Sequence, residues 1–212
     1  MFQRSIPALK TLSAPAITVL ALVAHSAAGA APPASAPSTA PPAPAARAES
    51  AAPPAAAQVE RGAYLVKIMG CNDCHTPFKM GPKGPEPDMT RMLSGHPQDV
   101  VMPPPPALGT GPWLWAGAAT NTAFAGPWGV SFAANLTPDR ETGLGTWTDF
   151  TFIEALRTGK HEGQGRPILP PMPYPMYRHA TDEDLRAVFA YLQSLPPQKN
   201  RVPQPVDPPQ SR

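Results

Sequence analysis

The sequence predicts an all-α domain: three helices joined by long loops, flanked by segments that build no core of their own. Two observations carry this. Three stretches repeat apolar residues at helical spacing, and none reads as a run of strands. Prolines number 33 in 212 residues, far above ordinary usage, so part of the chain is not globular.

The N-terminal 30 residues have the three parts of a secretory leader. Arg4 and Lys10 give a positive start, Ala14 to Ala24 is a short apolar run, and Ala28-Gly29-Ala30 offers small residues for cleavage. The apolar run falls short of the ~20 residues a spanning helix needs, so a membrane anchor is the weaker reading. Without the leader the basic residues fall from 17 to 15 and match the 15 acids. A near-neutral chain has no basic footprint for nucleic acid.

From residue 31 to 57 the chain is almost all Ala and Pro, with nothing large to bury. It reads as a semi-rigid spacer reaching up to ~80 Å when extended. The proline pairs at 32–33, 41–42 and 53–54 forbid a long helix there. The folded domain is expected over 58–197, followed by a proline-rich tail over 198–212.

The first helix is expected from Val59 to Gly70, with Tyr64, Leu65 and Ile68 on its apolar face. A middle helix runs from Asp149 to Thr158, capped by Thr148, faced by Phe152, Ile153 and Leu156, and ended by Gly159. The last begins at Thr181, whose side chain caps it ahead of three acids. Leu185, Val188, Phe189, Leu192 and Leu195 form its stripe, and Pro196-Pro197 stops it.

The chemistry concentrates at Cys71-Asn72-Asp73-Cys74-His75. Two thiols three positions apart on a tight turn can each bond one vinyl group of a haem, and the next residue offers an imidazole to the iron. C-x-x-C-H is therefore the pattern of covalent haem c attachment. Two cysteines are too few for a disulfide scaffold or a four-cysteine zinc site. A thioredoxin-like pair would want a βαβ context, which is missing, and a local disulfide would leave His75 unexplained. A haem would also supply apolar surface for a chain whose aromatics are only 7%.

Iron held by His and Met is saturated and has a raised potential, which suits electron transfer. The candidate thioether lies in Ile168-Leu169-Pro170-Pro171-Met172-Pro173-Tyr174-Pro175-Met176-Tyr177. Prolines on both sides of Met172 stiffen the loop that would present it. Met176 is the alternative on the same loop, and chemistry alone does not separate the two. His96 or His161 would instead give a bis-histidine iron. The segment 76–145 is the puzzle. It holds four consecutive prolines and Trp113, Trp115 and Trp128, and it reads as a long insertion packed as a surface excursion.

Taken together, residues 58–196 resemble a class I cytochrome c domain: helix, C-x-x-C-H, loops, helix, methionine loop, final helix. The resemblance implies that the first and last helices cross, through Gly62, Tyr64 and Tyr191. Pro127-Trp128-Gly129, Ala134-Asn135-Leu136-Thr137-Pro138-Asp139, Thr142-Gly143-Leu144-Gly145, Trp147 and Phe152 to Gly159 resemble the haem domains in cytochrome subunits of membrane-bound alcohol, aldehyde and gluconate dehydrogenases. Met172-Pro173-Tyr174-Pro175 resembles their methionine loop, which implies Met172 as distal ligand. Pro127 is expected to accept the free ring proton of His75. Those subunits usually carry several haem motifs and this chain has one. They offer no counterpart for Lys79 to Trp115.

The expectation is a periplasmic carrier of single electrons with one covalent haem c, not an enzyme, although it can serve as a subunit of an oxidoreductase complex. Its partners would be a dehydrogenase donor and a cytochrome or oxidase acceptor in a respiratory chain. Membrane association follows only if the leader stays uncleaved. The rival readings are a haem-based sensor or peroxidase-like enzyme with a labile distal ligand, and a thiol-based protein without haem.

Overall fold

The computed structural model describes residues 55–107 and 111–208, which fall within one compact unit, Ser50–Arg212. The expected leader, the spacer up to residue 54 and the last four residues lie outside the described residues.

Helix α1 spans Ala55–Ile68. Its first three residues were expected in the spacer, but alanines beyond the last proline pair are the best helix formers. Gly62, Leu65 and Val66 are buried and Met69 packs beside them, one face at i, i+3, i+4 and i+7. Of the expected face, Leu65 is buried and the other two residues are not. Tyr64 and Ile68 are 54% and 59% exposed, and the Arg61 guanidinium lies over the Tyr64 ring at 5.6 Å.

Helix α5, Asp182–Ser194, buries Leu185, Ala187, Val188, Phe189 and Leu192. The Thr181 hydroxyl accepts from the Asp184 amide at 3.1 Å, the cap its sequence predicts. α1 packs on α5 through Gly62, where an added Cβ would collide with the Ala187 carbonyl oxygen and stand 2.7 Å from Tyr191 Cβ. The crossing thus uses Gly62 and Tyr191 and leaves Tyr64 outside. Arg61 bonds Asp184 across it at 2.9 Å.

Helix α3, Asp149–Thr158, begins in a reciprocal capping box between Thr148 and Thr151 and ends at Gly159, whose φ of 68° suits a residue without Cβ. Phe152, Ile153 and Leu156 are buried as expected, and the Phe152 and Phe189 rings meet at 5.4 Å.

The fold is not all-α. β1 (Phe78–Gly81) and β2 (Gly84–Pro87) form an antiparallel hairpin. β3 (Ala116–Gly117), β4 (Ala123–Gly126) and β5 (Gly129–Phe132) form an antiparallel sheet in that order. These strands are two to four residues long and rich in Gly, Ala and Pro, so backbone pairing rather than an alternating side-chain pattern defines them. Nor is the 76–145 segment a surface excursion throughout. Leu93, His96, Thr122 and Thr137 are among the least exposed residues described, while Val101 and Trp113 stand out in solvent.

The tail is equally part of the fold up to residue 208. Asn200 is buried, and Val206 pairs with Val130 as an antiparallel bridge. None of the described helices is long and apolar enough to cross a membrane.

Candidate functional site: a cofactor cavity

Gly70, at φ 67°, turns the chain sharply after α1 and opens the short helix α2, Cys71–His75. The turn is held from both sides. Thr76 is fully buried, bonds Asn72 Oδ1 at 3.0 Å and accepts the Leu93 amide at 2.9 Å. The His75 carbonyl accepts from the Gly95 amide at 2.7 Å.

His75 Nδ1 donates to the Ala134 carbonyl at 2.7 Å. The acceptor is Ala134 and not Pro127. Pro127 sits in the turn between β4 and β5, and β5 then carries the chain away from that turn to bring Ala134 beside the imidazole. Because a carbonyl can only accept, Nδ1 bears the proton and Nε2 is left as a lone-pair donor. Among the described residues Nε2 has no hydrogen-bond partner. Burial lowers the His75 pKa, opposed by the Ala134 bond, which favours the neutral ring a metal ligand needs.

Cys71, Cys74 and His75 open on a cavity of about 550 Å³, within the range of cofactor pockets. Its walls are largely apolar and include Phe124, Leu136, Leu144, Phe152, Leu156 and Leu192. Met172 lines the cavity together with Leu169, Pro170, Pro171 and Pro173. Met176 does not, and is 72% exposed on α4 (Tyr174–Tyr177).

The methionine loop is tied at several points. Ile168 N donates to Gly159 O at 2.8 Å, and the Ser131 hydroxyl to Pro170 O at 2.5 Å. The Tyr177 hydroxyl donates to the Met69 carbonyl at the end of α1. Burial, with nearby Cys71, Cys74 and Asp73 adding, pushes the Tyr177 phenol up to about 12, so it remains a donor at neutral pH.

The alternative histidines divide. Both ring nitrogens of His96 are engaged, Nδ1 with Thr122 Oγ1 at 2.9 Å and Nε2 with Val100 O at 3.0 Å, so His96 is a buried structural residue away from the cavity. His161 does line the cavity, with its ring edge-on to Trp147 at 5.1 Å.

The thiols are free and partly buried. Burial, with Asp73 and Cys74 adding, pushes the Cys71 thiol up to about 11, and Cys74 is raised for the same first reason. Reactive thiols of redox pairs are typically shifted the other way, toward the thiolate. Two thiols, one oriented imidazole and one thioether around a large apolar cavity fit a covalently attached haem.

Sequence reasoning missed Ala134, Ser131 and the tail residues Arg201 to Pro205, all of which line the cavity. Ala134 acts through its backbone carbonyl, which leaves no trace in residue type. Asn135 beside it does leave one: its Oδ1 accepts from the Thr137 amide at 3.0 Å and hydroxyl at 2.7 Å, the local turn that Asn favours.

The residue set fits a haem site, and comparison with known proteins narrows the relationship. No protein-family model matches the chain. It is 28% identical over 136 residues to the cytochrome c subunit of alcohol dehydrogenase (quinone) of Gluconobacter oxydans, covering 64% of this chain and 21% of the relative. To the cytochrome c subunit of gluconate 2-dehydrogenase of Pantoea cypripedii it is 31% identical over 136 residues, 64% and 23% respectively. With the cytochrome subunit of fructose dehydrogenase of Gluconobacter japonicus it shares 28% identity over 153 residues, 69% of this chain and 24% of that protein. Over about two thirds of its length the chain is a homologue of dehydrogenase cytochrome c subunits. It spans less than a quarter of the length of the first two of these relatives and about a quarter of the third.

Proposed function

We propose that the chain is a single-haem c-type cytochrome of class I fold that passes single electrons in the periplasm, from a dehydrogenase toward a respiratory acceptor. One observation carries the reading: both thiols, the Nδ1-protonated imidazole of His75 and the Met172 thioether line the same apolar cavity.

In this reading Cys71 and Cys74 hold the porphyrin through two thioether bonds, and two cysteines supply one such pair. His75 and Met172 bind the iron. When bound, the haem supplies a one-electron couple whose potential is set by its axial ligands and burial. Ala134 fixes the imidazole's tautomer and direction. The tethered proline loop holds the methionine, so little rearrangement accompanies a change of charge. The apolar walls exclude water. The leader-like N-terminus supports export, and the dehydrogenase donor is inferred from the names of the relatives. Docking with such partners would be small in area and transient.

The deciding experiment is expression with a haem-attachment system, followed by mass measurement and absorption spectra of the oxidised and reduced protein. One covalent haem is expected on the chain, with a reduced spectrum unchanged by carbon monoxide. A colourless chain overturns the reading, and rapid carbon monoxide binding would favour the sensor or peroxidase-like alternative.

A further inference from the structure

The segment after the last helix is the least expected part of the cavity. Arg201, Val202, Pro203, Gln204 and Pro205 line it, although nothing in their composition predicts packing. They are held at both ends. Upstream stands Asn200, only 6% exposed. Its Nδ2 donates to Ser94 O at 2.7 Å and to His96 O at 2.9 Å, and its Oδ1 accepts from the Gln98 amide at 2.9 Å. Downstream, Val206 exchanges backbone hydrogen bonds with Val130 at 2.8 and 2.9 Å.

We propose that residues 200–206 form a strap, pinned by Asn200 and Val206, that closes one side of the haem cavity and keeps water from the cofactor. The proposal rests on the haem reading above. The strap also reaches the ligand's support. Asn135 donates to the Asn200 carbonyl at 3.4 Å and to that of Gln198, just ahead of the strap, at 2.7 Å, and its neighbour Ala134 is the acceptor for His75. Asn200 bonds the carbonyls of Ser94 and His96, which flank the Gly95 that bonds the His75 carbonyl. Asn200 is therefore a positioning residue, acting on the imidazole through the two backbone segments that hold it.

The direction of the effect follows from charge. Ferric iron carries one more positive charge than ferrous, and water stabilises the more charged state. Val202, Pro203 and Pro205 in place of water disfavour the ferric form and raise the reduction potential, and the positive charge of Arg201 acts in the same direction. The strap is thus a tuning element supplied by the chain beyond its last helix.

The test compares the full-length haem protein with the combined Val202→Gly, Pro203→Gly and Pro205→Gly variant, which leaves charge, Asn200 and the chain end unchanged. The potential is expected to fall by about 59 mV, a ten-fold shift of the one-electron equilibrium. The visible spectrum should stay close to that of the unaltered protein, with a modestly lower thermal midpoint, because glycines at proline positions free the unfolded chain. In Asn200→Ala the potential should fall in the same direction, with a lower midpoint. Lys199→Ala, which removes only an exposed pair with Glu141, is expected to change neither. Amide exchange supplies a readout that needs no electron transfer: Val206 should be protected in the unaltered protein and exchange faster in the glycine variant. A glycine variant whose equilibrium lies within two-fold of the unaltered protein overturns the strap. A chain that carries no haem overturns the function itself.

Discussion

A carbonyl at position 134 decides what His75 can do. With Nδ1 committed to Ala134, the ring offers Nε2 alone, and burial keeps it neutral. At the other candidate ligand the choice lay between two thioethers on one proline loop. Met172 lines the cavity, whereas Met176 is exposed on a helical turn beyond it. On the proposed reading, Met172→Ala abolishes the weak near-infrared band of a sulfur–iron bond and lowers the reduction potential, because the ligand that favours ferrous iron is gone. Met176→Ala leaves both unchanged. Spectra and potentiometric titration of the two variants check this, and the reverse pattern would move the ligand to Met176. The local pattern C-x-x-C-H was readable, because its residue types and spacing lie within five consecutive positions. Its hydrogen-bond acceptor was unreadable, since any residue provides a carbonyl and only tertiary structure selects one.

The helices and strands show the same division at the next scale. α3 and α5 were readable because a cap, an apolar period and a stop occur together in each. α1 was readable as a helix but misread in phase, because Tyr64 and Ile68 outweigh a glycine on any scale of apolarity. Its packing depends on the absence of a side chain, so the signal was a small residue rather than a large one. Gly62→Ala tests this. The added Cβ meets the Ala187 backbone, which cannot move without shifting α5. The expected cost is about 1–3 kcal/mol, in the range of overpacked cores, seen as a lower denaturant midpoint with the helical circular dichroism retained. A midpoint equal to that of the unaltered protein would mean that the two helices can separate without penalty. The strands were invisible for the opposite reason. Gly84-Pro85-Glu86-Pro87 and Ala123-Phe124-Ala125-Gly126 have low strand propensity and no alternation, and they pair because the chain on either side is anchored.

At the scale of the whole molecule, two loop segments and the strap share one polar seam around the imidazole. Residues 93–98 and 133–137 clasp His75, and the strap, with Gln198 just ahead of it, clasps both through the Asn200 side chain and the Gln198 carbonyl. Among the described residues no fully enclosed side-chain nitrogen or oxygen lacks a partner, His75 Nε2 opening on the cavity, so the seam tolerates burial without a desolvation penalty left standing. The apolar half, in which α1, α3 and α5 pack together, lines the same cavity through Phe152, Ala155 and Leu156 of α3 and Val188 and Leu192 of α5. Every residue lining that cavity lies between Met69 and Pro205, inside the unit Ser50–Arg212. A chain in which Ser50 directly follows a cleavable export leader is therefore expected to mature with one covalent haem. Its spectrum, potential and thermal midpoint should match those of the full-length chain, because every described wall, ligand and seam contact lies within the retained residues. A midpoint several degrees lower in the shortened chain would show that residues before Ser50 stabilise the haem domain, and a changed potential would show that they reach the cofactor itself.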